Sequence, residues 1–234
     1  MWTPSITAGE AAPGALGGGY LQGRPRPVKG LYCWGQDMAD MVILDAMGVL
    51  YEAGDDVAEL LVPFVGRHGR ADLSAEAIDR DYVEASLGRM DTDAFWRRVG
   101  VDPALEDSYL AGHRLVDGTL EALAELKQRH GRLACLSNDI SSWSLKLRQR
   151  FGLESWIDHW FISGDLGLRK PSAEIYRLAA DRLGVQPRDV VFVDDRLRNL
   201  DAAKAVGFNT VLFDIRGDAP DHPHRRIRRL KDLI

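Results

Sequence analysis

In three places this chain sets a reactive side chain just after a short apolar run, and in a fourth it sets one in a loop. Val42-Ile43-Leu44 ends in Asp45, and Leu133-Ala134-Cys135-Leu136 ends in Ser137-Asn138. Val190-Val191-Phe192-Val193 ends in Asp194-Asp195, and Lys170-Pro171 lies in the loop Gly167-Leu168-Arg169-Lys170-Pro171. Together they offer a carboxylate, a hydroxyl, an ammonium and an acidic pair. That set suits attack by a carboxylate on a phosphoryl group. Asp45 and the acidic pair would hold Mg²⁺ through oxygen ligands. Lys170 and Ser137 would balance charge on the transferred group.

Such residues need a scaffold that carries them to one edge. From Met41 the chain alternates short apolar runs with amphipathic stretches. Strands are expected at Met41–Asp45, Leu133–Ser137, His159–Ile162, Val190–Asp194 and Thr210–Phe213. Helices are expected at Gly118–Arg129, Ser141–Phe151, Ala173–Leu183 and Leu197–Val206, with Gly131, Gly152, Gly184 and Gly207 after them as C-terminal caps. Alternation of this length predicts an α/β fold, a Rossmann-like three-layer core around a parallel sheet. Open sheets of that kind bind ligands at the carboxyl ends of their strands.

Residues 53–115 break the rhythm. They contain helical patterns only, at Val57–His68, Ser74–Leu87 and Thr92–Val99, with Ser74 as a plausible helix start. They read as a small helical domain inserted into a core made of residues 41–52 and 116–234. Residues 1–40 hold eight glycines and four prolines. Such a segment buries too little apolar surface to offset its ordering entropy. With Met38 and Met41 close to the first strand, it is expected to be a disordered or non-native extension.

Composition narrows the rest. A net charge of −5 gives no reason to expect nucleic acid or an anionic membrane as partner. No apolar run approaches the roughly 18 residues of a membrane span. Two cysteines, in dissimilar surroundings, suit a reducing cytoplasm rather than a disulfide framework. The basic run Arg225–Lys231, with apolar residues at 227, 230 and 234, reads as a solvated helix face.

Each reactive position also has a plainer use. Ser137-Asn138-Asp139 can cap the helix near Ser141, and Asp194-Asp195 can cap the helix that follows. Lys170 can be a solvated loop lysine, and Tyr176 a core residue. Asp117-Gly118-Thr119-Leu120 mimics a nucleophile motif but follows no strand, and reads as a helix start.

From about Val42 to Phe213 the chain resembles the haloacid dehalogenase superfamily, which is mostly phosphatases. Asp45 with Gly48-Val49-Leu50, Leu136-Ser137-Asn138, Lys170-Pro171 with Tyr176, and Val193-Asp194-Asp195 with Asn199 match its four motifs in order. The resemblance implies Asp45 as nucleophile and Ser137, Asn138 and Lys170 as phosphate or substrate contacts. It implies magnesium on Asp45, Asp194, Asp195 and the Met47 backbone carbonyl, a small phosphorylated substrate, and a helical cap between the first two motifs. Cap residues such as Arg67, Arg70, Arg89, Phe95 and Trp96 are candidates for setting the substrate.

One position departs from the pattern. The family's phosphatases usually carry a second Asp two residues after the nucleophile, as general acid and base. Here it is Met47, which has no proton to give. Haloacid dehalogenases also lack that acid, but they need no magnesium and lack the acidic pair kept here. Phosphonoacetaldehyde hydrolases use a cap lysine, and this chain has none between Lys29 and Lys127. The expected activity is therefore a phosphatase-type hydrolase. A dehalogenase or a non-catalytic binding or regulatory protein are the alternatives.

Overall fold

The computed structural model describes residues 41–234. The extension expected over 1–40 lies outside them. Six strands, β1 (Met41–Leu44), β2 (Leu133–Ser137), β3 (His159–Ile162), β4 (Val190–Asp194), β5 (Asn209–Phe213) and β6 (Arg225–Ile227), form one parallel sheet. Its order is β3-β2-β1-β4-β5-β6. β1, β2 and β4 are buried along their whole length, as a parallel sheet covered on both faces requires. The chain builds outward from β1 to one side, then returns to build the other. The topological switch therefore falls beside β1, where Asp45, Ser137 and Asp194 emerge together.

The helices stand where the pattern placed them, at Thr119–His130, Ser141–Arg150, Ala173–Leu183 and Leu197–Val206. Tyr176 is buried in the core, and its hydroxyl donates to the Asn199 carbonyl at 2.9 Å. The C-terminal run differs from expectation. Arg225–Ile227 is the edge strand β6, and Leu230–Leu233 a 3₁₀ turn. Pairing with β5 outweighs helix formation, because it buries Ile227 while Arg225 and Arg226 stay in water. A short charged strand also protects a sheet edge. His224 anchors the approach, contacting Thr210 Oγ1 at 2.7 Å and Asp201 Oδ1 at 3.0 Å.

Between β1 and β2 the described residues form helices and turns, with isolated β-bridges between Met47 and Tyr51 and between Tyr51 and Leu115. A π-helical turn, Val57–Leu61, runs into the helix Val62–His68, and the helices Ala75–Ala85, Thr92–Arg98 and Glu106–Leu110 follow. Ser74 caps the second of these through Ala77 N at 3.2 Å. The segment leaves and returns side by side. Glu52 N donates to the Arg114 carbonyl and Val116 N to the Leu50 carbonyl, each at 3.0 Å.

Trp143, on the helix after β2, joins this segment to the sheet. Its ring lies 4.8 Å from Tyr109, 5.1 Å from Trp96 and 5.6 Å from Phe95. The indole N–H groups of Trp143 and Trp96 both donate to Glu106 Oε2, at 2.8 and 2.9 Å. Trp143→Ala is expected to cost about 3–5 kcal/mol, read as a lower urea midpoint. An unchanged midpoint would contradict this role for the aromatic cluster.

Candidate active site

Asp45 follows β1 directly, and its backbone N–H donates to the Val193 carbonyl at 2.9 Å, which sets it beside Asp194. After it the chain turns back sharply. Leu50 N and Tyr51 N donate to the Ala46 carbonyl at 2.8 and 2.9 Å, and Gly48 N donates to the Tyr51 carbonyl at 2.9 Å. Gly48 adopts φ +75°, and a Cβ there would overlap Asp195 Oδ2. Only glycine satisfies both conditions. A Cβ at Gly54 would lie 2.9 Å from the same oxygen, so two glycines make room for Asp195.

Asp45, Asp194 and Asp195 converge, each offering one oxygen within 4.8 Å of the others. Lys170 Nζ lies 2.7 Å from Asp45 Oδ1 and 2.7 Å from Asp194 Oδ2. All but Asp195 are buried. Burial pushes the Asp45 pKa well above the usual carboxylate range; Lys170 opposes this, and Asp194 and Asp195 add to it. Burial and then Asp194 raise Asp195 to about 7. Burial pulls Lys170 down, but Asp194 and Asp45 more than offset it and keep the ammonium charged.

The two acids of the pair are held differently. Asp194 accepts from Lys170 Nζ, from Arg196 N at 2.8 Å, and from Asn199 Nδ2 at 3.0 and 3.1 Å. These contacts hold Asp194 in place, and it fixes Lys170. Asp195 Oδ1 is buried with no hydrogen-bond partner among the described residues, and so is Ser137 Oγ. Buried polar atoms are rarely left unpaired. Asn199 Oδ1, on the same cavity, is likewise unpartnered among the described residues; a carboxylate oxygen suits a hard cation and a hydroxyl an anionic oxygen. The oxygen donor set fits a divalent ion of the Mg²⁺ type.

Asn138 serves Lys170. Its Nδ2 donates to the Lys170 carbonyl at 2.9 Å, and its Oδ1 accepts from Lys170 N at 2.8 Å. The side chain expected to touch substrate is thus engaged in positioning the lysine loop.

These residues open into a cavity of about 670 Å³ lined by Asp45, Met47, Ser137, Asn138 and Lys170. From the helical segment it is lined by Asp56, Arg80 and Tyr82 among others, and from the loops by Arg169 and Arg196. The expected substrate-setting residues are not among them. Phe95 and Trp96 are fully buried in the aromatic cluster. Arg70 pairs with Asp72 and Arg89 with Glu84 at the surface, and Arg67 is exposed. Sequence reasoning passed over Asp56, Tyr82 and Arg196. The doublet Asp55-Asp56 before a helix reads as a cap, which hid its second member.

A family model described as haloacid dehalogenase-like hydrolase matches residues 39–207. An (S)-2-haloacid dehalogenase 4A from Burkholderia cepacia is 34% identical over 102 residues, 44% of this chain and 44% of that protein. That match spans less than half of the relative. A glyceraldehyde 3-phosphate phosphatase from Methanopyrus kandleri is 27% identical over 190 residues, 70% of this chain and 81% of that protein. The crystal structure of a HAD phosphatase from Thermococcus onnurineus shares the fold, with a TM-score of 0.64 at 23% identity, covering 82% of this chain and 95% of that one.

Proposed function

This chain belongs to the haloacid dehalogenase-like hydrolase family, and we propose that it is a magnesium-dependent phosphatase acting on a small phosphorylated molecule through an aspartyl intermediate on Asp45. The charge of the buried cluster carries this reading. Three carboxylates face the ammonium of Lys170 and, beside Asp195, the guanidinium of Arg196, and a cation balances the excess negative charge. Asp45, Asp194, Asp195 and the Met47 backbone carbonyl would hold the ion, and when bound it neutralises charge on the phosphoryl oxygens.

The protein groups do the rest. Asp45 attacks phosphorus in line with the leaving oxygen. Ser137 Oγ and Lys170 Nζ orient the phosphoryl group and stabilise its charge. Asp194 positions Lys170, and Asn138 positions its loop. Residues 53–115 act as a cap over the core made of residues 41–52 and 116–234, closing the cavity against water.

Met47 favours a second reading. A methionine where phosphatases of the family carry an acid suits displacement of halide from carbon, which needs no protonation. The unpartnered Oδ1 of Asp195 argues against it, since that chemistry has no use for a cation site.

A screen of phosphomonoesters, acyl phosphates and 2-haloacids, with and without Mg²⁺, separates the readings. The expected result is phosphate release that EDTA removes and Mg²⁺ restores. Halide release indifferent to EDTA supports the dehalogenase. No turnover, with Mg²⁺ and phosphate raising the melting temperature, supports a binding protein.

A further inference from the structure

Met47 leaves the nucleophile with no proton carrier at the usual place, yet a second carboxyl faces the same cavity. Asp56 precedes the π-helical turn Val57–Leu61 and is 5% exposed. It lines the cavity with Asp45 and Met47. A carboxyl ahead of a helix normally caps it, but Asp56 makes no capping bond. Exposed Asp55 does that instead, accepting from Ala58 N at 3.1 Å. Asp56 is thus a buried acid that lines the site and does not cap the helix it precedes.

Its position is fixed from both sides. Arg196 donates to the Gly54 carbonyl at 2.6 Å, and its backbone N–H holds Asp194, so one residue ties the turn to the acidic pair. The Tyr82 hydroxyl lies 3.4 Å from Asp56 Oδ2 and 3.1 Å from the Asn138 carbonyl. One hydroxyl proton is shared between two acceptors, so it holds the carboxyl only weakly.

We propose that Asp56 is the general acid and base of this site, taking the place of the absent acid at position 47. The assignment rests on the phosphatase reading. In the first step Asp45 forms a bond to phosphorus, the bond from phosphorus to the ester oxygen breaks, and the leaving alkoxide takes the Asp56 proton. In the second step water attacks the aspartyl-phosphate and gives its proton to the Asp56 carboxylate. The bond to Asp45 breaks, and inorganic phosphate and free Asp45 are restored.

The surroundings suit an acid that cycles near neutral pH. Burial raises the Asp56 pKa to about 6; Arg196 opposes this and Asp55 adds to it, while Tyr82 and Val57 hydrogen bonds lower it. Asp139, on the loop after β2, and Tyr109 face it as well. Groups poised in this range are efficient proton carriers.

The test compares 2-glycerophosphate, whose alkoxide needs a proton, with p-nitrophenyl phosphate, whose phenolate leaves without one. Asp56→Asn is expected to lower kcat on 2-glycerophosphate by about 10²–10⁴-fold, with little change in KM and a smaller loss on the aryl ester. Met47→Asp in the Asp56→Asn background is expected to recover alkyl ester turnover. In the wild type, kcat on 2-glycerophosphate falls as pH rises above about 6, and that limb is absent from Asp56→Asn. An equal loss on both esters, or a wild-type profile with no such limb, overturns the role of Asp56; the wild-type profile does not depend on how well the variant folds. A wild type that releases phosphate from neither ester overturns the phosphatase reading with it.

Discussion

Asp45→Asn is expected to cut phosphate release by roughly 10⁴–10⁶-fold without destabilising the metal-free protein. The amide keeps the shape of the side chain but cannot form the bond to phosphorus. Ordinarily such a loss is hard to separate from damage to the fold. Here the electrostatics separate them. Asp45 is buried against Asp194 and Asp195, and its pKa is raised mainly by burial, so its charge opposes folding in the absence of a cation. The Lys170–Asp194 pair at 2.7 Å survives the substitution.

The same reasoning gives a sign for pH. Between the unfolded carboxylate range and the raised values in the folded protein, the native state holds protons that the unfolded chain has released. Stability of the metal-free protein therefore falls as pH rises from about 4 through the pKa of Asp195, near 7. Asp45→Asn removes one of these titrations and flattens the slope, and Mg²⁺ counteracts it in the wild type. Thermal melts across pH, with EDTA and with Mg²⁺, read all three effects. Phosphate release retained by Asp45→Asn sinks the nucleophile assignment. A lower metal-free melting temperature sinks the charge argument.

What was legible in the chain follows from how locally it is determined. Buried parallel strands need unbroken apolar runs, and the reactive residues end those runs, so Asp45, Ser137 and Asp194-Asp195 reach one edge from pattern alone. Lys170 is less local. It becomes part of the site because the Asn138 amide grips its backbone on both sides, a pairing across 32 residues that no spacing rule encodes. Side-chain direction in the helical segment was not legible. Phe95 and Trp96 have the chemistry of a substrate pocket, but they pack against Trp143. Asp56 looks like a helix cap, and only its burial and the contact of Tyr82 distinguish it from exposed Asp55. Ile227 lies on an edge strand because β5 offers it a partner, which periodicity in a basic run does not reveal.

Lys170→Met carries a large expected effect on both stability and rate. Lys170 is almost fully buried and is the only ammonium touching Asp45 and Asp194 among the described residues. Removing one partner of a buried ion pair costs about 3–5 kcal/mol, because the remaining charge has lost its solvent and gained nothing. Here two carboxylates are stranded at once, with Asp195 close by. They cannot all stay ionised, so the variant recovers by taking up protons. Its deficit against the wild type is therefore widest above neutral pH and narrows on acidification, as the stranded carboxylates protonate. Mg²⁺ supplies positive charge to the same oxygens and is expected to restore part of the stability but not the rate. The rate loss, about 10²–10³-fold, reflects charge no longer stabilised on the transferring group. Lys170→Arg is not expected to rescue either property, since a planar guanidinium cannot occupy a space shaped around one nitrogen 2.7 Å from two carboxylates. Urea titrations at low and high pH decide the matter. A Lys170→Met protein as stable as the wild type above neutral pH without metal would mean that the three carboxylates are not ionised together, and the demand for a divalent cation would fall with them.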